Sequence, residues 1–124
     1  MIQLSTTMQI NAITSGTTGI GLITVAGPIA GLFGVTETWP FIAAGIFLVL
    51  FSIYVFAVSK GKPVNPGGVR LVILMDVLWV VASIIAILAL FSVISGIGSL
   101  AIGAVAVWVA GMALLQYAGL KVIA

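Results

Sequence analysis

Leu71 to Val93 reads LVILMDVLWVVASIIAILALFSV, twenty-three residues that are apolar except for Asp76, Ser83 and Ser92. About twenty apolar residues are enough to carry a helix across the ~30 Å hydrocarbon layer of a bilayer, so this stretch reads as a membrane span. It also holds the one carboxylate found in any apolar run of the chain. A charge near the centre of such a helix carries an insertion penalty of about 2.5–3.5 kcal/mol, so Asp76 calls for partners inside the protein.

The composition extends that reading to the whole chain. Of 124 residues 63% are hydrophobic and 5% charged, and a soluble fold has no way to cover so much apolar surface. The charges are Glu37, Lys60, Lys62, Arg70, Asp76 and Lys121. Cysteine and histidine are both absent, which removes disulfides, thiolate metal sites, the usual haem ligand and the commonest general base. With two carboxylates in all, a hydrolytic or metal-dependent site has almost nothing to be built from, so the expectation is no enzyme, no metal and no cofactor. Four dispersed cations are too few for a nucleic-acid surface.

Three further spans lie around the first. Met1 to Met8 has no Lys or Arg, so a cleaved leader is not expected and the first span should be retained. That span, residues 9–33, carries Asn11, Thr14, Ser15, Thr17 and Thr18, with small residues that suit contact with protein. Its Gly27-Pro28-Ile29-Ala30-Gly31 segment combines G-x-x-x-G spacing with a proline, which reads as a close helix crossing, a kink, or an early end near Ala26. Residues 34–40 form a loop with Glu37, and Trp39 stands where an interfacial aromatic belt belongs. The second span covers 41–59. The segment KGKPVNPGGVR (60–70) reads as a turn rather than a helix, the third span is 71–93, and the fourth is 100–120 after a glycine-serine turn. The expected fold is an all-α bundle of four transmembrane helices with short loops, one domain over 1–124.

With four spans, Lys60, Lys62, Arg70 and Lys121 fall on one side and Glu37 on the other, which predicts cytoplasmic termini in the cell membrane or its equivalent. Counted inward from that side, Asp76 lies about 7–8 Å deep, at a level similar to Asn11, Tyr54 and Gln116 on the other three helices. Amides and a phenol can donate to a carboxylate without adding charge, so Asp76 is expected to face the interior and accept from Asn11, Gln116 or Tyr54. Trp79 at i+3 and Ser83 at i+7 share its side of the helix, and the indole N–H is a further candidate donor. The cluster reads as a structural clasp, as a site for a ligand or proton, or as an aspartate snorkelling toward Arg70 or Lys60.

The segments Asn11-Ala12-Ile13-Thr14-Ser15-Gly16, Asp76-Val77-Leu78-Trp79 and Ala113-Leu114-Leu115-Gln116-Tyr117-Ala118-Gly119 carry a resemblance. The chain resembles a group of small bacterial four-helix membrane proteins with an Asn-Ala-x-x-Ser-Gly start, an Asp-x-x-Trp in the third helix and an Ala-x-x-Gln-x-x-Gly near the end of the fourth. The resemblance implies four helices and an important polar layer, and it brings no activity. Small multidrug resistance transporters are similar in length and span count, but rely on a glutamate in the first helix, where this chain has no carboxylate.

The expected function is a structural, accessory or interaction subunit of a membrane assembly, with the bilayer and either copies of itself or a larger complex as partners, and no nucleic acid. Gly27, Gly31 and the four-spaced Ser95, Ser99 and Gly103 are the expected packing surfaces. The alternative is a small transporter or channel-like protein in which Asp76 couples to a proton or cation. A third reading is a binder of an apolar pigment, quinone or lipid walled by Trp79, Trp108 and Tyr117.

Overall fold

The computed structural model describes residues 3–123. They form five helices, α1 (Leu4–Thr24), α2 (Ala26–Phe33), α3 (Trp39–Ser59), α4 (Pro66–Leu90) and α5 (Gly96–Ile123), with no strand among the described residues. α3, α4 and α5 are each long and apolar enough to cross a membrane, and α1 with α2 makes a fourth candidate as a bent pair. α1 packs along α3 and α4 along α5, while contact between α1 and α5 joins the two pairs. α3 and α4, neighbours in sequence, keep their backbones apart and meet through side chains.

The first span is not one continuous helix. α1 and α2 meet at Val25 with an 89° bend, and the cause is Pro28. In a continuous helix its ring would clash with the Thr24 carbonyl, four residues back, and it has no N–H to offer. The chain instead ends α1 at Thr24, swings through Val25 (φ −120°, ψ 36°) and restarts, which puts Pro28 in the first turn of α2, where N–H groups are unpaired anyway.

α2 is closed at its other end by a Schellman turn. Gly34 adopts the left-handed φ of 76° that a glycine takes without strain, its N–H donates to Gly31 O, and Val35 N–H donates to Ala30 O. The remaining carbonyls are taken by Ser95, whose N–H donates to Phe33 O at 2.8 Å and whose hydroxyl donates to Leu32 O. The same hydroxyl accepts from Gly98 N–H at 3.0 Å and so caps the start of α5. Gly98 has to be small there, because a Cβ would stand 2.8 Å from the Phe33 ring.

Other boundaries differ from the sequence expectation as well, with α1 starting at Leu4 and α3 at Trp39. Residues 66–70 belong to α4 and not to a turn. Asn65 is the N-cap, its side chain accepts from Gly67 N–H at 2.9 Å, and Pro66 fills the first helical position. At the far end α4 stops at Leu90, and residues 91–93 form a turn. α5 begins at Gly96, so Ser99 is helical. Asp76 therefore lies ten residues from the start of α4, about 15 Å along its axis and close to the middle of the helix.

The tightest interhelix approach is between α1 and α3, at Gly19 and Gly45. A Cβ on Gly19 would lie 2.7 Å from Gly45 O, and one on Gly45 would lie 2.6 Å from Gly19 O. Gly27 and Gly31 do not mediate packing within the chain, since nothing lies within 4 Å of a Cβ at either. Gly103 meets only the tip of Ile87, at 3.9 Å. Ser95 lies outside the helix and serves as a cap, so the four-spaced Ser95, Ser99 and Gly103 do not form a close-packed stripe inside the bundle. The apolar core gathers at the end of the bundle that holds the start of α1 and the end of α5, around Leu4, Met8, Phe51, Val55, Val72 and Leu120.

Candidate functional site

Helical phase brings three polar side chains to one point above that core. On α4 the buried positions are Val69, Val72, Asp76 and Ser83, a stripe at helical spacing that turns the aspartate inward. On α1 the stripe through Leu4, Met8, Asn11, Ser15 and Gly19 does the same for Asn11, and on α5 Val109, Met112, Gln116 and Leu120 bring in Gln116. Asn11, Asp76 and Gln116 retain 1%, 2% and 0% of their surface, so they meet in the interior of the bundle. Asp76 does not snorkel.

The bonds among them close on themselves. Gln116 Nε2 donates to Asp76 Oδ2 at 2.8 Å, and Asn11 Nδ2 donates to the same oxygen at 3.2 Å and to Gln116 Oε1 at 2.9 Å. Ser15 Oγ donates to Asn11 Oδ1 at 3.1 Å, which leaves the Asn11 amide nitrogen free to face the carboxylate. The carboxylate is thus held by neutral amides from two other helices. Hydrogen bonds to a charged acceptor stabilise by about 1.5–3 kcal/mol in soluble proteins, and interhelix bonds in membranes average nearer 0.6 kcal/mol. Either way the network ties α1, α4 and α5 together at one depth.

Three residues expected in this cluster are not bonded into it. Tyr54 is 36% exposed and makes no bond to Asp76. The buried stripe of α3 runs through Gly45, Leu48, Phe51, Val55 and Ser59, and Tyr54, one position before Val55, is rotated about 100° away from it. Ser83 is buried, but its hydroxyl donates back to Trp79 O at 2.8 Å on its own helix. The Trp79 Nε1–H is buried without an acceptor, and the ring stacks on Phe47 with centroids 5.9 Å apart and planes 12° from parallel. Ser15, conversely, belongs to the network and was not expected in it. Its position four residues after Asn11 is the signal that places both on one face.

Next to the cluster, on the side away from the apolar core, lies an open groove of about 410 Å³ between α1, α3, α4 and α5. Thr14 and Thr18 form one wall, and Trp79, Ala104 and Trp108 the others. A small cavity of about 10 Å³ lined by Ser15, Asp76 and Trp79 adjoins it, and Ser15 and Trp79 are common to both. Tyr117 lines neither. No charged residue lines the larger groove. Among the described residues no group of three His, Cys, Asp or Glu is placed to hold a metal ion.

The fold and the site define an all-helical bundle with three or four helices of membrane-crossing length, locked internally by a buried carboxylate and two amides. Comparison with protein families, with curated proteins and with solved structures gives no match.

Proposed function

We propose that this chain is a small integral membrane protein that serves as a structural or interaction component of a membrane assembly, with the Asp76–Asn11–Gln116 cluster as its internal clasp. The observation that carries this reading is the closure of the cluster. Asp76 Oδ2 accepts from both amides, and all three residues are buried in the bundle. A carboxylate that works by exchanging an ion with water needs a wet path; one engaged by its own helices is suited to fixing their order. The apolar outer faces of α3, α4 and α5 are then available to lipid and to neighbouring subunits. The chain purified in a mild detergent should migrate with copies of itself or with a larger complex in fixed ratio; a monodisperse monomer at native expression levels would sink the interaction role.

The runner-up reading, transport of a proton or cation through Asp76, is favoured by one observation, the small cavity that places Ser15 and Trp79 beside Asp76 at the foot of the groove. A lipid-soluble carbodiimide separates the two readings. The closed clasp predicts no adduct on Asp76 by peptide mass spectrometry, whereas a site visited from the bilayer is modified and the Asp76→Asn variant is not.

The arrangement of charges supports cytoplasmic termini, with Lys60, Lys62, Arg70 and Lys121 on the inner side and Glu37 on the outer. Because the natural chain has no cysteine, single thiols report this directly. On intact cells an impermeant maleimide should label Thr36→Cys, and should label Lys62→Cys only after permeabilisation. The reverse pattern inverts the topology.

A further inference from the structure

We infer that the groove above the clasp is a binding site for a neutral, lipophilic molecule with a planar, carbonyl-bearing head that enters from the bilayer. The inference goes beyond the clasp reading and does not depend on it. At about 410 Å³ the groove is within the range of sites that hold small organic ligands. Its walls are uncharged, and the nearest charge, Asp76, is turned into the bundle with Oδ2 bonded to Asn11 and Gln116, so a charged guest meets no charged partner in the groove. Its polar groups are weighted toward donors. The Trp108 indole N–H is held only loosely, at 3.3 Å from Thr14 Oγ1, and the exposed Thr18 hydroxyl stands one turn above Thr14. In hydrocarbon no water competes for such donors, so an entering carbonyl oxygen gains a hydrogen bond that lipid tails do not offer. The two indoles favour a flat head, and the Trp79 ring is held in place by its stack on Phe47. The remaining wall positions, Leu48, Val105 and Val109 among them, suit an aliphatic tail.

Trp79 and Trp108 are built-in reporters once the exposed Trp39 is replaced in a Trp39→Phe background. The full chain in lipid nanodiscs is titrated with decyl-benzoquinone, a neutral dicarbonyl that quenches indole fluorescence. The expected result is saturable quenching with an unchanged lifetime for the residual emission, the mark of a bound complex. Ala104→Phe, which adds a ring at an exposed wall position and leaves the core alone, should abolish the saturable component. Thr18→Val should weaken it by about five-fold. Circular dichroism on each variant verifies that the helices are intact. In a second arm the nanodiscs contain brominated phosphatidylcholine. If quenching by that lipid is sensitive to Ala104→Phe while the quinone does not saturate, the ester carbonyl of a membrane lipid is the occupant, and the site stands with that source. Quenching by both probes that is purely collisional and identical in the intact and Ala104→Phe grooves overturns the inference.

Discussion

Asp76→Ala is expected to destabilise the bundle by about 2 kcal/mol and to loosen α4 from α1, whereas Asp76→Asn should stay within about 0.5 kcal/mol of the natural chain. The alanine removes the single oxygen that accepts from both Gln116 Nε2 and Asn11 Nδ2. A buried donor left without an acceptor costs about 1–3 kcal/mol, and two are affected. The loss stops short of the sum for two reasons. Asn11 keeps its bond to Gln116 Oε1, and in the membrane-inserted unfolded state the same amides find other partners. Loss of the carboxylate also relieves the penalty of a charge in hydrocarbon, which lowers the net effect further. Asparagine retains an oxygen at the accepting position and is uncharged, so the clasp survives. Unfolding in mixed detergent micelles, followed by circular dichroism, measures both. Equal stability of the alanine variant would show that the cluster contributes nothing to the bundle.

The second large effect is expected at the α1–α3 crossing. Gly19→Ala and Gly45→Ala should each destabilise by about 2–3 kcal/mol, because the added methyl meets a backbone carbonyl of the opposite helix, which has no rotamer to move into. Gly45→Leu should separate the two helices outright. Gly31→Ala is the matched control. Its methyl points into open space, so it should be neutral or stabilising by up to about 1 kcal/mol through helix propensity. The same unfolding assay reads all of them. A large loss at Gly31 with none at Gly45 would move the crossing elsewhere.

Helix content and the meeting of Asn11, Asp76 and Gln116 are legible because depth and the 3.6-residue period are both properties of a single strand of text. Depth alone does not place Tyr54, because the rotation of α3 is set by Gly45 against Gly19 and not by any local pattern. The pair that does control packing has no motif, one glycine on each helix, while the conspicuous Gly27 and Gly31 spacing faces outward. At the start of α4 the two glycines suggested a turn, but the Asn65 cap and Pro66 at the first position outweigh them. Pro28 made a break in the first span legible, whereas its right angle depends on contacts of α2 with α3 and α5. The groove was out of reach for a simpler reason. Four helices contribute to it, and no stretch of sequence contains it.

Ser95 gives the bundle a calendar. During synthesis α2 emerges early, but its last two carbonyls wait for a residue more than sixty positions later, since only the Ser95 N–H and hydroxyl fill them. Until then those oxygens have to be solvated, which holds the end of α2 at the water boundary while α3 and α4 are laid down. The final helix therefore brings two closures: Ser95, which caps its start, seals an element made long before it, and Gln116, near its far end, closes the clasp. A chain truncated before Ser95 keeps α1 to α4, yet leaves the end of α2 without its cap.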